Sequence, residues 1–209
     1  MKPQIDYTLY LCTDRNLMTT DTIEESVELA IKGGVTVVQL REKECTSKEF
    51  YEQAVRVKTI TDAYEVPLII NDRVDIALAV GADGVHLGQK DLPIHVARDL
   101  MGPDRILGVT ANTKEWAIEA VKSGADYIGA GDVFGTSTKA DAKRLTLEEL
   151  TEICQAVSIP VVAIGGVKED NIGRLKDTGV AGAAVISAVV GKKDITAAAE
   201  NLIANFREC

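Results

Sequence analysis

Residues 68–91 read LIINDRVDIALAVGADGVHLGQKD. LIIN is an apolar run that leads into Asp72, and GVHLGQK carries a second run into Asp91. Between them Val74, Ile76, Ala77, Leu78 and Val80 give an apolar face for a short helix, and Gly81 is placed to end it. The stretch predicts a β-α-β unit with an acid just past each strand. In parallel sheets chemistry collects at the carboxyl ends of strands, which makes Asp72 and Asp91 candidates for one site. A plain structural alternative stands beside this: Asp72 caps the following helix and Asp91 caps a turn before Pro93.

The same alternation extends in both directions. Apolar or β-rich runs predict strands over 7–13, 35–40, 67–70, 85–87, 106–109, 127–130, 160–164 and 183–186. Helical spacing predicts helices over 21–32, 48–63, 94–101, 114–123, 147–157, 171–177 and 195–206, besides the one already placed. An internal echo supports the count. Gly34-Val35, Gly81-Ala82-Asp83, Gly124-Ala125-Asp126 and Gly179-Val180-Ala181 each introduce an even-numbered strand, at spacings of 47, 43 and 55 residues. Each spacing holds two β-α units, a quarter of a closed barrel. The expected fold is an α/β (β/α)8 TIM barrel, a single compact domain over 1–209. An open doubly wound sheet would more often use fewer strands.

Composition bounds the partners. With 46% hydrophobic and 26% charged residues, the chain has the profile of an ordinary globular protein. A net charge of -9 supplies no basic footprint, so no nucleic acid and no anionic membrane surface is expected as a partner. An anionic ligand must then be held by local groups. Cys12, Cys45, Cys154 and Cys209 form no CxxC pair and no metal-like spacing with His86 or His95, and read as reduced thiols. The start MKPQIDYTLYLCTD has no apolar signal region, and the apolar stretch 180–191 is too short to span a bilayer. A cytoplasmic protein is expected, with a homo-oligomer left open.

The strand ends carry the chemistry. At the end of the second strand, period two puts Gln39, Arg41 and Lys43 on one face while Val38 and Leu40 point to the helix layer. An amide and two cations there make an anion clamp. Asn71 and Asp72 end the third strand and Asp91 follows the fourth; paired carboxylates facing phosphate oxygens suit magnesium. The sixth strand opens into a loop with Thr136, Ser137, Thr138 and Lys139, where hydroxyls and glycine-freed N–H groups suit phosphate. Gly165-Gly166 and Ile186-Ser187 end strands seven and eight, the usual phosphate cup of such barrels. His86 reads as a hydrogen-bonded histidine of the barrel core, Trp116 as helix packing and His95 as a surface residue.

Through VVQLREK, LIINDRVDIALAVGADGVHLGQKDLP, ILGVT, ADYIGAGDVFGTSTK, IPVVAIGGV and VISA, the chain resembles the thiamine-phosphate synthase family over nearly its whole length. The resemblance implies a transferase that joins a hydroxymethylpyrimidine diphosphate to a thiazole phosphate, releasing diphosphate. It implies Gln39, Leu40, Arg41, Glu42, Lys43, Asn71, Thr110 and Lys139 for the pyrimidine diphosphate, with Arg41, Lys43 and Lys139 as the catalytic cations. It further implies Mg2+ on Asp72 and Asp91, and the thiazole phosphate on Thr136, Ser137, Thr138, Gly166, Ile186 and Ser187. Four positions depart from the family's habit. Thr110 replaces a usual serine, Asn112 lies near a frequent histidine, and Asp132 and Gly135 replace prolines, which predicts a more flexible sixth loop. The rivals are a thiazole tautomerase-like paralogue and a non-catalytic phosphate-binding barrel.

Overall fold

Eight short parallel strands close on themselves in chain order, each hydrogen-bonded to its neighbours, with β8 returning to β1. The computed structural model describes residues 2–135 and 144–207. The strands are β1 (Leu9–Cys12), β2 (Val37–Leu40), β3 (Leu68–Asn71), β4 (Gly84–Leu87), β5 (Ile106–Thr110), β6 (Tyr127–Ala130), β7 (Val161–Ile164) and β8 (Gly182–Val185). Around them lie α1 (Ile23–Lys32), α2 (Ser47–Ala63), α3 (Val74–Val80), α4 (Ile94–Met101), α5 (Lys114–Lys122), α6 (Leu147–Ala156) and α7 (Ile195–Arg207). The predicted barrel is therefore the observed one, strand for strand.

Between β7 and β8 the segment Ile172–Thr178 forms a 3-10 helix instead of the α-helix expected over 171–177. It is only seven residues long, contains Gly173 and stops at left-handed Gly179. α3 has the same length and is α-helical, so composition separates the two: Gly173 weakens the i to i-4 ladder here.

Period two along each strand divides the apolar residues into two cores. Leu11, Val38, Leu40, Ile70, Val85 and Leu87 face outward and pack under the helices. Tyr7, Tyr10, Cys12, Val37, Ile69, Ile106, Tyr127, Val162 and Ala184 fill the barrel itself. Side chains one step further along the inward rows emerge at the carboxyl-end mouth, which is why Gln39, His86 and Thr110 share one space.

The internal echo has a physical role. Gly34, Gly81, Gly124 and Gly179 all have positive φ, at 95°, 66°, 102° and 85°. Each turns the chain so that the residue two positions on hydrogen-bonds the opening of the preceding strand: Thr36 N to Leu9 O, Asp83 N to Leu68 O, Asp126 N to Leu107 O and Ala181 N to Val161 O. In three of the four the side chain completes the fastening. Thr36 Oγ1, Asp83 Oδ2 and Asp126 Oδ2 accept from the N–H of Leu9, Leu68 and Leu107 at 3.1, 2.9 and 2.8 Å. A carboxylate acceptor of this kind contributes about 1.5–3 kcal/mol.

Candidate active site

The carboxyl end of β2 is where charge gathers. Gln39 is inward and buried, whereas Leu40 lies in the outer core and can offer a ligand only its main chain. Arg41 is drawn to Asp14, past the end of β1, with Nη1 donating to Oδ2 at 3.0 Å and its backbone N–H donating to Thr13 Oγ1 at 3.0 Å. Glu42 turns aside to Arg15, 3.2 Å away. Lys43 instead crosses to Asp72, with which it forms an ion pair. A cleft of about 620 Å³ beside this strand end is bordered by Asp14, Arg41 and Lys43 and runs out toward Glu49, Gln53 and Arg56 of α2; Gln39, Asp72 and Asp91 do not line it.

Asp72 does not cap the following helix: α3 starts after Arg73 and has no side-chain cap. Its backbone is left-handed, with φ of 65°, a conformation Asp adopts more readily than most residues, and its N–H is fixed by His86 O at 2.8 Å. Asp91 does close its turn, accepting from Gly88 N–H at 2.7 Å. It also stands close to Asp72. Burial, then the neighbouring carboxylate, pushes the Asp91 carboxyl above its usual range, against the pull of Gly88 N–H and Lys43. The turn-capping expected of Asp91 is thus observed, and the helix-capping alternative for Asp72 is not.

The opposite side of the mouth is built of main chain. Gly165 and Gly166 have φ of 100° and 66°. A Cβ on Gly166 would stand 2.3 Å from Gly135 O, so the β7 end and the β6 loop meet backbone to backbone. Val133 and Phe134 N–H groups donate to Ile164 O and Gly165 O at 3.1 and 2.9 Å, and Leu145 N–H returns to Asp132 O at 2.7 Å. Asn112 Oδ1 accepts from Gly131 N–H at 3.0 Å, so this departure from the family's habit fastens the start of the loop. Ile186 is half-buried and Ser187 exposed past β8.

Below the mouth a chain of hydrogen bonds crosses the barrel. Gln39 Nε2 donates to Tyr10 Oη at 2.7 Å; Tyr10 and Tyr127 hydroxyls are 2.7 Å apart; His86 Nδ1 lies 2.9 Å from Tyr127 Oη and its Nε2 lies 2.9 Å from Thr110 Oγ1. The expected hydrogen-bonded core position of His86 is thus observed. Burial raises the phenols of Tyr10 and Tyr127 well above their ordinary range, so both keep their protons.

A family model described as thiamine monophosphate synthase matches residues 9–189. The chain belongs to this family. It is 61% identical over 206 residues to the thiamine-phosphate synthase of Ruminiclostridium cellulolyticum, covering 99% of this chain and 98% of that protein. It is 54% identical over 206 residues to the thiamine-phosphate synthase of Clostridium beijerinckii, covering 99% of each. Among solved structures, the thiamine phosphate pyrophosphorylase of Pyrococcus furiosus superposes with a TM-score of 0.90 at 45% identity, covering 97% of this chain and 96% of that one.

Within this synthase-family barrel the structure brings together Gln39, Arg41, Lys43, Asn71, Asp72, Asp91 and Thr110 on the β2–β5 side, and Gly166, Ile186 and Ser187 on the β7–β8 side. Thr136, Ser137, Thr138 and Lys139 lie outside the described residues, as does most of the loop expected to be flexible. Sequence reasoning missed Asp14, which pairs with Arg41 at the mouth. It also missed Tyr10 and Tyr127. A signal for Tyr127 existed: Gly108 stands inside the strand motif ILGVT, and a Cβ there would be 2.1 Å from the Tyr127 ring. Trp116 does more than pack, since its Nε1–H donates to Thr110 O at 3.1 Å.

Proposed function

We propose that this synthase-family barrel condenses 4-amino-2-methyl-5-(diphosphooxymethyl)pyrimidine with 4-methyl-5-(2-phosphooxyethyl)thiazole, giving thiamine phosphate and diphosphate. The observation that carries this reading is the junction of Lys43, Asp72 and Asp91 at the mouth, in a chain so similar end to end to proteins named thiamine-phosphate synthase. An isomerase of the thiazole has no diphosphate to expel and no use for that set. The reading takes 1–209 as one domain working in the cytoplasm. The thiols of Cys45 and Cys154 support that; among the described residues no helix is long and apolar enough to cross a membrane.

In this reading Gln39, Leu40, Arg41, Glu42, Lys43, Asn71, Thr110 and Lys139 receive the pyrimidine diphosphate. Thr136, Ser137, Thr138, Gly166, Ile186 and Ser187 receive the thiazole phosphate. Asp72 and Asp91 fit magnesium. Among the described residues no three His, Cys, Asp or Glu side chains cluster, but two close carboxylates completed by substrate oxygens are a donor set this ion takes. When bound, the ion would supply positive charge beside the departing diphosphate.

The C–O bond to diphosphate breaks first, leaving a pyrimidine carbocation that the thiazole nitrogen captures. Arg41, Lys43 and Lys139 oppose the charge that collects on the leaving group, and Arg41 and Lys43, already paired at the mouth, need little reorganisation as it grows. The thiazole nitrogen already carries its lone pair, so no general base is required. The test is incubation of the protein with both substrates and magnesium, following thiamine phosphate. Absence of product, with substrates that a known synthase consumes, refutes the reading.

A further inference from the structure

The hydrogen-bond chain under the mouth has more groups than a simple floor requires, and its protons can be counted. Tyr10 and Tyr127 are each 1% exposed, so solvent satisfies neither phenol, and Gln39 is 5% exposed. Gln39 Nε2 has only protons to give, which makes Tyr10 Oη an acceptor there. Tyr10 then has one proton left and gives it to Tyr127 Oη; Tyr127 has one proton left and gives it to His86 Nδ1. The imidazole must then carry its proton on Nε2, which donates to Thr110 Oγ1, and the Thr110 hydroxyl proton is free to point onward. If His86 donated from Nδ1 instead, Tyr127 would donate to Tyr10, and Tyr10 would receive two bonds with its own buried proton unplaced.

We propose that the hydroxyls of Tyr10 and Tyr127 are positioning residues that run this chain in one direction, so that Gln39 presents its amide oxygen and Thr110 its hydroxyl proton to a substrate in the mouth. The barrel is shaped to keep the chain in place. Gly108 leaves room for the Tyr127 ring and Gly129 for the His86 ring, where a Cβ would stand 2.1 and 2.9 Å from them. The Tyr127 ring is held on both sides, with ring centroids 4.9 Å from Tyr7 and 5.4 Å from His86.

The functional consequence rests on the reading given under Proposed function. An acceptor at one end and a donor at the other match an aminopyrimidine edge, where an amino group that donates adjoins a ring nitrogen that accepts. A pyrimidine with a carbonyl in place of the amino group reverses that pattern. A site that hydrogen-bonds its substrate in this way discriminates strongly against the reversed one. Tyr10 and Tyr127 touch no substrate in this account; they choose the ring by setting Gln39 and Thr110.

The experiment has a ligand-free arm and a kinetic arm. In the first, ¹⁵N NMR of the histidine rings at neutral pH is expected to show His86 protonated on Nε2 and accepting at Nδ1. Tyr127→Phe removes the donor to Nδ1 and should move His86 toward the Nδ1-protonated tautomer. Tyr10→Phe leaves the Tyr127 proton on His86 and should not. In the second arm, Tyr127→Phe should raise KM for the pyrimidine diphosphate by about tenfold, as the loss of one aligned hydrogen bond does, and leave KM for the thiazole phosphate unchanged. A wild-type His86 protonated on Nδ1 would mean that Gln39 presents its oxygen to Tyr10 and that the chain runs backwards, which overturns the proposal. So would an unchanged tautomer in Tyr127→Phe, or an equal rise in both KM values. If Tyr127→Phe does not fold, the wild-type tautomer and the Tyr10→Phe protein decide the matter. If the ligand-free arm behaves as expected and no thiamine phosphate forms, the functional reading fails while the proton order stands.

Discussion

The two sides of the barrel mouth are made of different materials. On the β2–β4 side, side chains carry the charge: Arg41 on Asp14, Lys43 on Asp72, and Asp91 beside Asp72. On the β7–β8 side the described contacts are mostly main chain, with Gly165 and Gly166 in left-handed geometry against the β6 loop and the neutral amide of Asn171 donating to Gly166 O at 3.0 Å. The proposed reaction asks different things of the two sides. A departing diphosphate gains charge as the bond breaks, whereas the thiazole phosphate keeps the charge it came with. Interactions that strengthen along the reaction raise turnover, and those that hold a group unchanged set binding. Changes on the first side should therefore lower kcat and changes on the second should raise KM.

The sharpest way to break this contrast is to remove an aspartate. Asp72→Ala or Asp91→Ala should lower kcat by about 10²–10³, the usual loss when one preorganised electrostatic partner is deleted. Each should also raise the magnesium requirement; unchanged activity across a magnesium titration would remove that residue from the metal site. Gly166→Ala comes next. Forcing a Cβ into φ of 66°, 2.3 Å from Gly135 O, should strain the β7 end by about 1–3 kcal/mol and raise KM for the thiazole phosphate about tenfold. An equal fall in kcat at saturation would blur the division between the sides. Asp14→Asn should reduce kcat/KM for the pyrimidine diphosphate by about tenfold, since a charge-assisted bond that aims Arg41 becomes a neutral one. Wild-type kinetics in that variant would make Asp14 a spectator.

The smallest effect is on stability and has the opposite sign. The Asp91 carboxyl is raised in the fold, so its ionised form weakens the fold above that raised pKa, and the weakening is absent at low pH where the group is protonated. Asp91→Asn should therefore give a slightly higher Tm than wild type at pH 7 without metal, and the difference should vanish on acidification. A Tm gain that grows toward low pH would contradict the direction.

Nearly all of the fold was legible because its signals are local. Apolar runs of about four and glycines at helix ends depend on neighbours in sequence, and they located all eight strands. The 3-10 segment at Ile172–Thr178 escaped because apolar spacing over seven residues cannot separate i+3 from i+4 bonding. The site was legible where strand alternation fixes direction, as for Gln39 facing inward and Leu40 outward. It was not legible where a long side chain chooses its partner. Arg41 and Lys43 are two residues apart just past the end of β2, yet one swings to the β1 side and the other to the β3 side. Nothing in their spacing selects between Asp14 and Asp72. The Tyr127–His86 bond joins residues 41 apart and follows from barrel closure, not from any motif.

The glycine-led fastenings that open β2, β4, β6 and β8 also divide the chain into stages of assembly. Each joins a strand to the one immediately before it, so β1–β2, β3–β4, β5–β6 and β7–β8 carry their own latches, while no such latch spans β2–β3. Closing a loop of one helix length is entropically cheaper than closing the whole ring, so strand pairs should form before the ring does. Pulse-labelled hydrogen exchange during refolding is expected to protect the amides of Leu9, Leu68 and Leu107 ahead of those at the β2–β3 seam. A barrel read as one continuous sheet would then be, in its history of formation, four hairpin-sized parcels joined at their edges.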